Sequence, residues 1–271
     1  MNELDGKAVR LYGIPSLLLM EQAAYSVYQY LMEEHKGQAL TIVCGPGNNG
    51  GDGLALARQF HSFVGARVDV ILLVGEEKLS EDGKVYYEMC KRLGIPILAY
   101  TKEKSLSNKR IEEAEVLVDA VFGTGLTRNI EGNFYDVIMQ MNRSRGFKVS
   151  IDMPSGIHTD TGEVLGIAIK ADCTITFAVA KVGQFLYPGL ACVGILRITK
   201  IGIPPILVDQ MSCKHYAIDE EIARKLLPNR PIRSNKGTYG KVLMIGGQVG
   251  MGGAICLAGQ GAMQVGAGLV T

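Results

Sequence analysis

The sequence predicts an α/β protein: a mostly parallel, doubly wound sheet in a three-layer αβα sandwich, followed by the start of a second α/β unit. Three observations predict this. Apolar, β-branched runs alternate with helical patterns through most of the chain. The glycine-rich stretch 45–53, GPGNNGGDG, joins one such run directly to a helical pattern, as a strand-loop-helix unit does. Beyond residue 212 the text changes, with Pro228-Asn229-Arg230-Pro231 preceding a fresh strand-loop-helix pattern.

Taken in order, residues 1–13 read as a short amphipathic helix, and Pro15-Ser16 opens a second with Ser16 as its N-cap. Met20, Ala23, Ala24, Val27, Tyr28 and Leu31 recur at helical spacing, a stripe that suits a sheet or a second copy in a homodimer. Residues 40–44 form the first strand, and a helix capped by Asp52 is expected from Gly53. A strand follows at 67–74, then a helix from Ser80 to Leu93 closed by Gly94. Runs at 96–100, 116–122, 148–152, 173–179 and 194–199 bring the total to about seven strands. The last two have no helical pattern between them, which predicts an antiparallel pair. Residues 1–212 thus read as one domain. Residues 213–271 are too few to close a sheet and read as an incomplete second domain.

Composition narrows the function. Lys and Arg number 28 against 27 for Asp and Glu, so no global field draws the chain to nucleic acid or to an acidic membrane. The six cysteines form no C-x-x-C pair and sit mostly in apolar runs, which predicts small core residues in a reducing compartment. No secretory leader or membrane span is visible, so a cytoplasmic location is expected.

In a doubly wound sheet, ligands bind beyond the carboxyl ends of the strands. Three such ends carry polar residues. The 45–53 stretch presents Asn48, Asn49, Gly50, Gly51 and Asp52. Unpaired N–H groups at a helix start attract phosphate, whereas Asp52 repels it and suits a hydroxyl, a cap or a cation. The 116–122 strand carries Asp119 inside an apolar run and continues into Gly123, Thr124, Gly125, Leu126, Thr127, Arg128 and Asn129. Asp119 must find hydrogen bonds or a cation there, and it can equally cap the glycine loop beside it. The 148–152 strand ends in Asp152, followed by Met153-Pro154-Ser155-Gly156, where an Asx turn is the alternative to a functional role. Two carboxylates at adjacent strand ends, facing a third glycine-rich loop, point to a site. Ser155 lies outside any G-x-S-x-G elbow, and His35, His61, His158 and His215 show no triad or metal-pair spacing, which argues against a serine hydrolase. Lys181 follows a strand and could contact phosphate, but a solvated lysine is the default reading.

GPGNNGGDG at 45–53, DAVFGTGL at 119–126, DMPSG at 152–156 and AKVGQFLYPG at 180–189 together resemble the NAD(P)HX epimerase family, or YjeF N-terminal domain. GIPSLLLME at 13–21 is similar to its first helix, so the resemblance covers residues 1 to about 212. KGTYGKVLMIGG at 236–247 and GAICLAGQGAMQVGAGLVT at 253–271 resemble the start of the ribokinase-like NAD(P)HX dehydratase, whose later motifs are absent. The resemblance implies a Rossmann-like fold and an isomerase that interconverts R and S forms of NADHX and NADPHX, so that an S-specific dehydratase can use both. It implies Asn48, Asn49, Gly50, Gly51 and Asp52 holding the dinucleotide, and Gly123 through Asn129 wrapping its phosphates. Asp152 would be the catalytic acid/base at the nicotinamide end, with Lys181 a distant second. A potassium ion would rest on Asn49, Asp119 and Ser155. ADP or ATP would serve only a complete dehydratase. A noncatalytic binding module of the same fold is the alternative. An ordinary NAD(P) dehydrogenase fits less well, because Asp52 disfavours phosphate and no acidic residue closes the second strand.

Overall fold

The computed structural model describes residues 2–64, 67–211 and 215–271. Met1, Cys213 and the expected boundary between residues 212 and 213 lie outside the described residues. The chain divides into two compact units, Met1–Cys213 and Lys214–Thr271.

The first unit runs α1 (Asn2–Tyr12), α2 (Ser16–Glu34), β1 (Leu40–Cys44), α3 (Asn48–Val64), β2 (Val68–Leu72), α4 (Glu81–Arg92), β3 (Ile97–Ala99) and α5 (Lys104–Glu112). It continues with β4 (Val116–Ala120), α6 (Gly132–Arg143), β5 (Phe147–Ile151), β6 (Cys173–Phe177), α7 (Leu190–Val193), β7 (Ile195–Thr199) and α8 (Pro205–Asp209). The seven strands form one sheet in the order β3-β2-β1-β4-β5-β6-β7. All its pairings are parallel, including β6 with β7. The antiparallel expectation for that last pair is therefore overturned. The intervening segment turns through short helical pieces, Val182–Gln184 and α7, and so crosses back over the sheet without a long amphipathic helix to announce it.

Alternate residues of each central strand feed opposite cores, as the period of two demands. Leu40, Ile42 and Cys44 pack with Met20, Ala24 and Val27 of α2, Phe60 of α3 and Tyr86 of α4. Val43 and Leu117 pack on the other face with Ile111 of α5 and with Val137, Ile138 and Met141 of α6. Most of the α2 stripe is thus absorbed by the sheet of its own chain. α2 is preceded by Pro15 as its N-cap, without a side-chain bond, so Ser16 is its first helical residue and not its cap. Ser80 does cap α4, accepting from Gly83 N. Cys44, Cys90, Cys173 and Cys192 are buried as expected, whereas Cys256 is exposed.

The second unit contains α9 (Glu220–Leu226), β8 (Lys241–Val242), α10 (Gly253–Val265) and β9 (Leu269–Val270), with β8 and β9 parallel. None of its described residues is buried; Ile245, Val249 and Val265 are largely exposed. Across the chain, no described helix is long and apolar enough to cross a membrane.

Candidate active site

The sheet order reverses direction between β1 and β4, and in such sheets the crevice outside the carboxyl ends at that point is the ligand site. Gly45 leaves β1 there with its N–H bonded to Ala120 O at 3.0 Å. The glycines that follow are not a loop: α3 already begins at Asn48, so Asn48 through Asp52 form its first turns, and Asp52 lies inside the helix instead of capping it at Gly53. Their small size serves close packing. A Cβ on Gly50 would stand 2.0 Å from Gly45 O, and one on Gly53 would stand 2.6 Å from Ala120 Cβ. Any side chain there would lift the helix from the sheet.

A cavity of about 440 Å³ opens at this point, within the usual size of small-molecule sites. Its floor is Pro46, Gly47, Asn48, Asn49 and Asp52; one wall is Val121 through Leu126; Asp152 and Phe177 close the far end. Thr127, Arg128 and Asn129 are exposed and do not line it. The opposite wall comes from α1 and α2, through Asp5, Val9, Leu19, Met20 and Ala23. Asp5, together with Asp82 of α4, went unrecognised in the sequence, because a carboxylate in the first turn of a helix ordinarily signals only dipole compensation.

These carboxylates act on one another. Burial raises the Asp52 carboxyl well above the ordinary range, and the charges of Asp152, Asp5 and Asp82 push it further, opposed weakly by Lys181. Asp52 is partly exposed and lines the cavity. Burial likewise raises Asp5, with Asp152 adding to it.

The two strand-end carboxylates differ. Asp119 is 0% exposed and accepts four hydrogen bonds. Ser150 Oγ and Ser155 N donate to Oδ2, both at 2.8 Å, and Ser155 Oγ and Val121 N donate to Oδ1 at 2.5 and 3.3 Å. Burial raises its carboxyl, and the same four bonds work against that shift. Asp152, one residue past β5, holds a left-handed backbone at φ 67°, a strained conformation for a residue with a Cβ. Its Oδ1 accepts from Lys181 Nζ at 2.5 Å and from Thr176 Oγ1 at 3.2 Å. Lys181 is not solvated as expected: it is 5% exposed, and its ammonium also bonds Thr176 Oγ1 and Phe177 O. No signal in the sequence marks this, because a lysine that follows a strand ordinarily lies in solvent.

The buried polar atoms also test the expected potassium ion. Asn49 is 7% exposed, lines the cavity, and has neither amide atom hydrogen-bonded. An unpaired buried carbonyl oxygen of this kind is costly unless a ligand or cation meets it. Ser155 Oγ accepts from Phe122 N at 2.8 Å, which ties Asp119 to the wall that Asn49 faces. Among the described residues no three His, Cys, Asp or Glu side chains cluster to hold a metal, so a cation here would rest mainly on neutral oxygens. One carboxylate with neutral oxygens fits a weakly held monovalent ion.

Residues 16–183 match the family described as "YjeF-related protein N-terminus". The chain is 38% identical over 277 residues to the bifunctional NAD(P)H-hydrate repair enzyme Nnr of Moorella thermoacetica, covering 100% of this chain and 52% of that protein. It is 37% identical over 195 residues to an NAD(P)H-hydrate epimerase of Limosilactobacillus fermentum, covering 72% of this chain and 90% of that one. The crystal structure of yeast ynu0 superposes with a TM-score of 0.65 at 22% identity, over 80% of this chain and 93% of the yeast chain, which bears out the fold. The chain spans about half the length of the bifunctional relatives.

Proposed function

Because the chain belongs to the YjeF-related N-terminal family, we propose that its Met1–Cys213 unit is an isomerase that epimerises the hydrates of NADH and NADPH at C6 of the nicotinamide ring. The observation that carries this reading is Asp152, whose Oδ1 is tied to Lys181 while the residue faces the cavity at the switch point of the sheet. Inversion at C6 requires the hydroxyl to leave and return on the other face, or the ring to open at the C6–N bond and close again. Both routes need a positioned group beside C6 that takes a proton and gives it back. Asp152 is that group. Asp119 is enclosed by its own donors and serves the scaffold.

Asn48, Asn49 and Asp52 would hold the dinucleotide and Gly123 through Leu126 its phosphates; Gly50 and Gly51 do not line the cavity but pack against Gly45 and Met20, and Thr127, Arg128 and Asn129 would reach the ligand only outside it. Potassium on Asn49, Asp119 and Ser155 would supply positive charge beside an otherwise acidic cavity, and it would have to take the place of some of the donors that fill the Asp119 oxygens. By the resemblance of residues 236–271 to a dehydratase start, an S-specific dehydratase that uses ADP or ATP would consume the product, and the relatives named as bifunctional NAD(P)H-hydrate repair enzymes are consistent with such a pairing.

The test is to supply purified R-NADPHX and follow it by chromatography with and without potassium. Conversion to S-NADPHX faster than the spontaneous rate is expected, and more so with potassium. Conversion at the spontaneous rate would leave a noncatalytic binding module in its place.

A further inference from the structure

The cavity explains why a carboxylate is needed at residue 152 but not what holds it there, because the groups that fix it do not line the cavity. Asp152 makes two backbone bonds across its strained turn: its N–H donates to Ile175 O at 2.8 Å, and its carbonyl accepts from Gln184 Nε2 at 2.9 Å. The same Gln184 side chain accepts from Lys181 N through Oε1 at 2.8 Å, so one buried amide ties the backbones of the carboxylate and its cation together. Gln184 and Thr176 are both 0% exposed. Among the described residues, the hydrogen bonds to the Asp152 carboxylate, from Thr176 and Lys181, both fall on Oδ1. Oδ2 points the other way, 3.4 Å from where a Cβ on Gly123 would stand, the same distance at which that Cβ would meet Asn49 Cγ.

We infer that Gln184 and Lys181 are positioning residues of the epimerase, which hold Asp152 in its left-handed turn and anchor Oδ1 so that Oδ2 alone is presented to the substrate. The inference rests on the epimerase reading above and deepens it. A buried amide that bonds both backbones fixes the distance between them, and a carboxylate anchored at one oxygen loses the rotation that would turn its lone pairs from the reacting carbon. Lys181 is the one cation among the described residues bonded to this carboxylate.

The experiment measures kcat and KM on R-NADPHX for Gln184→Met, Lys181→Met and Lys181→Arg, with thermal unfolding of each. Gln184→Met is expected to lower kcat about 10- to 100-fold with KM nearly unchanged, as loss of alignment does. Lys181→Met is expected to lower kcat further, again with KM nearly unchanged, and Lys181→Arg to restore part of kcat. If Gln184→Met does not fold, Gln184→Glu carries the test, since it keeps the shape and replaces the amide N–H donor to Asp152 O with a carboxyl oxygen. Folded variants with wild-type kcat, or with kcat unchanged and KM raised, overturn the assignment. Wild-type protein inactive on R-NADPHX removes the epimerase reading itself, and this role with it.

Discussion

Asp119 and Asp152 stand at the ends of neighbouring parallel strands, yet their surroundings make them different chemical objects. Asp119 has both oxygens saturated by donors from β5, from the turn after it and from Val121 just past β4, and it contacts no open space. Asp152 has one oxygen bound by a cation and lies in a strained turn at the cavity. The difference teaches that burial alone does not mark a working carboxylate. What marks it is an acceptor that the protein leaves unfilled on the side where a ligand fits.

The sharpest break in this comparison is Asp152→Asn. Asparagine tolerates the left-handed turn, so the backbone is kept and only the proton acceptor is lost. Epimerisation is expected to fall about 100- to 10,000-fold with NADPH binding retained, measured by chromatography and calorimetry. A wild-type rate would return the role to another group. Asp119→Ala should act on the fold instead, because it strands the Ser150 and Ser155 donors in an enclosed space. A loss of about 2–4 kcal/mol in denaturant unfolding is expected, and unchanged stability would contradict its scaffold role.

Asp52 lies between these two cases, with its proton held by burial and by Asp152, Asp5 and Asp82. A carboxyl raised in the folded state gives stability that is complete below the ordinary carboxylate range and is lost as pH climbs through the raised value. Asp52→Asn, which cannot ionise, should therefore raise the thermal midpoint by a few degrees near pH 7 to 8 and by little near pH 3. A shift of equal size at both ends would sink this account. The smallest effect is expected from Arg128→Ala. Its exposed side chain lies outside the cavity, so a loss worth about 0.2–1 kcal/mol, a less than tenfold rise in KM, is the expected outcome.

The seven parallel strands and their two-sided cover were legible because β-branched runs and helical stripes announce themselves by period. The β6–β7 pairing was not, since a crossover built from short helical turns leaves no stripe to read. Within the site, Asn49, Asp52 and Asp152 could be found because they punctuate glycine-rich text at strand ends. Lys181 and Gln184 could not, for a lysine or glutamine after a strand looks solvated until the fold buries it. Asp5 was invisible for a different reason. Its place at the cavity depends on how α1 packs, through Leu4 and Ala8 against Leu19 and Leu207, and that is a long-range fact.

That packing has a practical consequence. Asp5 and Val9 of α1, and Ile201 beyond β7, all line the cavity yet fall outside the matched span 16–183. Protein trimmed to the matched span would keep the floor and lose two sides of the vessel, together with β7 and the hydrophobic latch between the first helix and α8. The borders of shared sequence are thus not the borders of the working part. The most informative differences between relatives are to be sought in α1 and in the segment around Ile201.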